Sequence, residues 1–159
     1  MRDGMLFVSG DLDLAVAGKA AKLEGNTPNF RRTLYGFVER QNLPDLFRTF
    51  DFANPNIHSP GRAETTVPQQ ALFAINDPFV LARAESLALQ ARSSQAQDLL
   101  AENTPSNSVQ FLFRRILARN PSHDELSESL SFLGASPSNE SITDLAQSLL
   151  VSNEFFFID

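Results

Sequence analysis

The 159-residue chain has no cysteine, no tryptophan, one tyrosine and two histidines, and each scarcity removes a class of function. Without cysteine there is no disulfide, no thiolate metal site, no CxxCH attachment of haem and no thiol nucleophile. His58 and His123 alone offer little to a transition metal, and no metal site is expected. Sugar-binding platforms favour Trp and Tyr, whose polar handles suit a wet surface, whereas 14 phenylalanines suit a core. Bases are scarce as well: 13 Lys plus Arg against 19 Asp plus Glu give a net charge of −6, the wrong sign for displacing counterions from nucleic acid. No apolar run approaches the roughly 18 residues of a membrane span. The opening MRDGMLFVSGDLDLAV carries Asp3, Asp11 and Asp13 where an export signal needs an uninterrupted apolar stretch. Also missing are G-x-S-x-G, S-x-x-K, H-E-x-x-H, a glycine-rich phosphate loop, internal repeats and heptads. No catalytic residue is assigned.

What is present is helical periodicity, clearest in the last third. Val109, Leu112, Phe113, Ile116 and Leu117 recur at i, i+3, i+4, i+7 and i+8, with Asn107 or Ser108 in front as a cap. Ser122 and Glu125 form a capping box after Pro121; Leu126, Leu130 and Leu133 follow on one face, and Gly134 stands where a helix ends. His123, in the first turn, is expected at the surface. Ser141 and Asp144 give a weaker box around Ile142, Leu145, Ala146, Leu149 and Leu150. Each apolar stripe needs cover, and the nearest cover is a neighbouring helix. Upstream, Thr66 and Gln69 make a box before Ala71, Leu72 and Ile75. Asp77 and Pro78 then start a helix running to about residue 92, with Val80, Ala84, Leu87 and Ala91 inward. The expectation is a mainly α fold, a bundle of five to seven helices with at most one short β-hairpin and a long irregular loop. Residues 1–93 form an N-terminal subdomain, 94–107 a polar linker and 108–159 a three-helix subdomain.

The first 60 residues are less regular. LYGFV at 34–38 is aromatic and β-branched around Gly36, so residues 32–39 are read as a short strand; residues 43–49 follow as a helix after Asn42, and residues 2–9 as the end of a longer helix. Residues 51–66, DFANPNIHSPGRAETT, have two prolines, one glycine and no sustained period. Long irregular loops inside a domain tend to be functional or disordered. This one holds Asp51, His58, Arg62, Glu64, Thr65 and Thr66, with Arg40 and Asn76 at its flanks. An imidazole beside a carboxylate moves protons near neutral pH, and arginine clamps anions. The plainer reading is an Asp51–Arg62 ion pair that pins the loop while His58 is solvated. A calcium loop on Asp51, Asn54 and Asn56 fails, because Asn56 replaces the required glycine and Arg62 replaces the bidentate acid. The apolar FFFI at 155–158 is expected to dock on the body.

Residues 31–80, RRTLYGFVERQNLPDLFRTFDFANPNIHSPGRAETTVPQQALFAINDPFV, resemble the planctomycete-type C-terminal domain of unknown function found in large cytochrome-c-associated proteins, the PSD family. ILARNPSHDELSESLSFL and LAQSLLVSNEFFFID are similar to that family's closing helices and terminal signature, and RDGMLFVSGDLD to the interior of a helix and turn. The pattern falls on Arg32, Tyr35, Arg40, Asp51, Arg62, Thr65, Thr66, Gln70, Asn76, Arg119, Asn153, Glu154 and Asp159. Ile142 to Asp144 stand where the family often has Trp, and Phe157-Ile158 where it has Tyr.

The resemblance implies a helical module of an exported, periplasmic or secreted multidomain protein, with the chain beginning inside the family's domain. It implies no cofactor in this chain, haem only in an upstream domain, and no established reaction. The module would pack against upstream domains of its parent or bind a protein or polysaccharide partner, with no nucleic acid and no membrane span. A competing class is an enzyme or ligand site for an anionic or sugar-like substrate in the 51–66 loop.

Overall fold

The computed structural model describes residues 1–23, 29–50, 52, 53, 56, 58, 68–97 and 104–156, with side chains of 94–97 excepted. Among these residues there are eight α-helices, one 3-10 turn and no β-strand, so the expectation of a mainly α fold is met. The helices are α1 (Arg2–Ser9), α2 (Asp45–Thr49), α3 (Pro68–Asn76), α4 (Pro78–Gln97), α5 (Pro105–Ile116), α6 (His123–Leu133), α7 (Asn139–Leu150) and α8 (Asn153–Phe156).

Helix α4 forms the spine because its inner stripe is small as well as apolar. Val80, Ala84, Leu87, Ala88 and Ala91 are all 0% exposed, and alanines let a neighbouring backbone approach closely. Helix α7 lies against this stripe through Ile142, Leu145, Ala146, Leu149 and Leu150, and α5 adds Val109, Leu112, Phe113 and Ile116. Met5 and Val8 of α1 complete the same core, so residues on both sides of the 94–107 stretch share one apolar interior. Fully burying a side chain of this size contributes about 1.5–3 kcal/mol, which makes the stripes the dominant stabilising term. Phe155 and Phe156 of α8 dock on this body as expected, half-buried against the core; residues 157 and 158 lie outside the described residues.

Several local expectations are met. Ser122 and Glu125 form a reciprocal capping box at α6, with Glu125 N–H donating to Ser122 Oγ at 3.2 Å and Ser122 N–H to Glu125 Oε2 at 2.7 Å. Gly134 closes α6 at φ 69°. Asp77 caps α4 by accepting from Phe79 N–H at 2.8 Å, with Pro78 in the first turn.

Other expectations are corrected. Residues 32–39 form no strand: Tyr35 and Gly36 N–H bond back to the carbonyls of Arg32 and Thr33, closing a 3-10 turn over Thr33–Tyr35. Only isolated bridges, Asp13 to Arg31 and Ala21 to Gly36, flank it. Gly36 is required there, because a Cβ would stand 2.6 Å from Leu23 Cδ1 and 2.9 Å from Thr33 O. Helix α2 starts at Asp45 rather than residue 43, since Pro44 holds the preceding residue extended. Helix α5 starts at Pro105 after Thr104, so Asn107 and Ser108 lie inside it and Ser108 is buried. Helix α7 is capped by Ser138, whose Oγ accepts from Ser141 N–H at 3.0 Å, three residues before the expected box.

Helix α3 turns the apolar residues that follow the predicted box outward. Leu72 and Ile75 are 58% and 52% exposed, and the inward side carries Phe73 and Ala74 instead. Phe73 meets Phe50 edge to face at 5.6 Å, which turns this stripe toward α2. The Thr66 part of the predicted capping box lies outside the described residues.

Candidate functional site

Asp51, Arg62, Glu64, Thr65 and Thr66 of the predicted loop cluster lie outside the described residues, as does the Asp51–Arg62 pair. None of the contacts given for the described members joins one of them to another. Arg32 Nε stands 3.9 Å from Asp3 Oδ2 of α1. The Arg40 carbonyl accepts from Asn56 Nδ2 at 3.4 Å. Gln70 Nε2 donates to Thr49 O at 3.1 Å, tying the start of α3 to the end of α2. Asn76 Nδ2 donates to Leu72 O within its own helix. His58 is exposed. Tyr35 Oη accepts from Ala17 N–H at 3.2 Å and its ring lies 4.3 Å from Arg31 Cζ. His123 is exposed, as expected for the first turn of α6, beside Asp124 at 3.7 Å.

The closing motif does come together. Ala118 at φ 56° turns the chain out of α5, and the next residue, Arg119, fills both edges of its guanidinium. Nη1 and Nη2 donate to Glu125 Oε2 and Oε1 at 2.8 and 2.7 Å. Nε and Nη2 donate to Glu154 Oε1 and Oε2 at 2.6 and 2.7 Å. The loop after α5, the first turn of α6 and the first turn of α8 are thereby fastened by one side chain. Two bidentate pairs use the planar fork in the way that suits arginine best. The hydrogen bonds from Arg119, then the backbone N–H of Ser122, hold the Glu125 carboxyl down to about 2. Hydrogen bonds from Arg119 also depress Glu154, and those to Glu125 and Glu154 raise the guanidinium above its ordinary value. Such carboxylates stay ionised near neutral pH, so they fasten rather than donate protons. Asn153 is the first residue of α8, and Asp159 lies outside the described residues.

A second constellation, around α1, escaped the sequence reading. Arg2, only 6% exposed, donates through Nη1 to Arg31 O at 2.9 Å and through Nη2 to Asn29 O. Burial pushes its pKa down, Asp3 raises it and Arg83 lowers it. Asp3 accepts from Thr33 N–H at 2.7 Å. At the other end of α1, Arg115 Nε donates to Val8 O at 2.7 Å, and Gln90 Nε2 donates to Ser9 O. Here a cation and an amide fill carbonyls that a helix C-terminus leaves open. The legible signal was Arg83: it shares the inner stripe of α4 with Val80, Ala84 and Leu87, at i, i+3, i+4 and i+7, where a charge is out of place. Among the described residues no His, Cys, Asp and Glu group could hold a metal ion, and no helix is long and apolar enough to cross a membrane.

No curated protein and no solved structure matches the chain. A family model does, that of PSD1, "Protein of unknown function (DUF1553)", over residues 1–133. That stretch ends with α6, so the resemblance read in LAQSLLVSNEFFFID lies beyond it, although α7 supplies part of the core. With the match running from α1 through α6, the chain belongs to the PSD1 family of proteins of unknown function (DUF1553).

Proposed function

We propose that the chain is a non-catalytic helical module of a larger protein, serving to pack against upstream domains of the parent polypeptide or against a protein partner. The observation that carries this reading is the outward face of α3, where Ala71, Leu72 and Ile75 are exposed together. Apolar side chains gathered on one helix face mark contact surfaces more often than scattered ones do. The arginines of both polar constellations support the reading, because Arg2, Arg115 and Arg119 are spent on the chain's own carbonyls and carboxylates. We propose further that the parent is extracytoplasmic and cytochrome-c-associated, with haem held upstream, which rests on the sequence resemblance; fractionation of the source cells with antibody to this chain tests the compartment.

The direct test is light scattering of the full chain combined with binding of an apolar dye. The expected result is self-association or dye fluorescence that falls in the Leu72→Ser/Ile75→Ser variant. A monomer that leaves the dye dark, with no change on substitution, contradicts the proposal.

A further inference from the structure

Arg83 is 9% exposed, yet its guanidinium has no aligned acceptor among the described residues. Its Nε is one of two buried side-chain nitrogen or oxygen atoms there without a hydrogen bond; the other, Arg31 Nε, belongs to a guanidinium whose terminal nitrogens donate to Lys19 O and Ala17 O. Asp11 Oδ2 stands 3.2 Å from Arg83 Nε, close enough for charge attraction but outside hydrogen-bonding alignment, and this carboxylate oxygen already accepts from Ser9 Oγ at 2.8 Å. Of the five N–H donors on this guanidinium only the one on Nε is both buried and without an aligned acceptor, and leaving it so is costly. An apolar residue at this point of the α4 stripe would carry no such cost, so a guanidinium here suits an acceptor from outside the chain.

The surroundings define its chemistry. The rings of Phe30 and Phe79 lie 5.2 and 5.3 Å from Arg83 Cζ, and Phe30 is 36% exposed, which leaves the site an open edge. Arg2 Cζ lies 5.5 Å from the same Phe79 ring. Arg2, Arg32 and Arg83 face Asp3 and Asp11, leaving one positive charge uncompensated. One excess charge suits a monoanion, a flat donor fork suits a flat carboxylate, and two phenyl rings suit an apolar body attached to it. We propose that Arg83, with Phe30 and Phe79, forms a binding site for an aromatic or apolar monocarboxylate.

The test is a titration of the isotope-labelled full chain with benzoate, followed by NMR through the Arg83 Nε–Hε signal, with acetate and inorganic phosphate as comparison ligands. The expected result is a saturable shift of that signal with a Kd on the order of 1 mM, weaker with acetate and phosphate. Arg83→Gln should weaken benzoate at least about tenfold, while Arg114→Gln, which alters an exposed side chain bonded to Asn120, leaves it unchanged. If Arg83→Gln does not fold, Asp11→Asn decides instead: removing the competing carboxylate should tighten benzoate several-fold. A signal that does not saturate, binding indifferent to Arg83→Gln, no tightening in Asp11→Asn, or phosphate bound more tightly than benzoate overturns the assignment, and the first outcome means that water alone fills the site.

Discussion

Arg119 and Glu154, 35 residues apart in sequence, face each other through two hydrogen bonds of 2.6 and 2.7 Å. The same guanidinium engages Glu125, so the short α8 is fixed at its first turn to the junction of α5 and α6. Beyond that anchor, Phe155 lies 3.6 Å from the position of a Cβ on Gly4, and Phe156 lies 6.3 Å from Phe50. A polar clasp at one end of α8 thus holds aromatic contacts to the N-terminal elements at the other.

The clasp gives stability a defined dependence on acid. The Glu125 carboxyl titrates at about 2 in the folded chain against an ordinary 4.5. Its folded value is depressed, so its contribution is present above pH 4.5 and is lost as the pH falls toward 2. Exposure limits each pair to about 0.2–1 kcal/mol. Urea unfolding across this interval should show wild type losing more stability than Arg119→Ala, whose curve flattens.

Arg115 closes the end of α1 by donating to Val8 O and Phe7 O. Arg115→Ala should cost about 1–2 kcal/mol, since it strands the Val8 carbonyl at a half-buried helix end, while Phe7 O keeps the Gly10 N–H. Hydrogen exchange should report the loss first in α1, with α5 itself little altered.

At Gly36 a methyl group meets both a side chain and a backbone oxygen. Gly36→Ala should destabilise by about 1–3 kcal/mol. Adding Leu23→Ala removes the flexible obstacle but leaves Thr33 O, so thermal unfolding of the double variant should show partial recovery.

The helices that could be read from sequence are those whose period and caps agree. Leu126, Leu130 and Leu133 follow a genuine capping box, and α4 carries Val80, Ala84, Leu87 and Ala91 on one face between Asp77 and a polar stretch. The facing of α3 is not legible in the sequence, because Leu72 and Ile75 look as apolar as Phe73 and only the aromatic contact with Phe50 decides which side turns inward. The strand expected at residues 32–39 gave way to a turn held by Asp3 from 30 residues away, which no local pattern encodes. Arg119 and Glu154 were picked out as members of one motif, but their pairing depends on where α8 packs. Arg83 is legible from its place on the α4 stripe, whereas Arg2 looks like an ordinary surface charge until α1 is seen to be buried.

The most direct discrimination between apolar stripes and charges as makers of this shape is the urea midpoint of Leu87→Ala set beside that of Arg119→Ala. Leu87 is 0% exposed in the spine helix and Arg119 lies at the surface. Leu87→Ala should lose about 2–5 kcal/mol, clearly more than Arg119→Ala, whose exposed pairs are worth about 1 kcal/mol or less apiece. The reverse order, with Arg119→Ala the more damaged variant, would show that charge and not packing builds the fold.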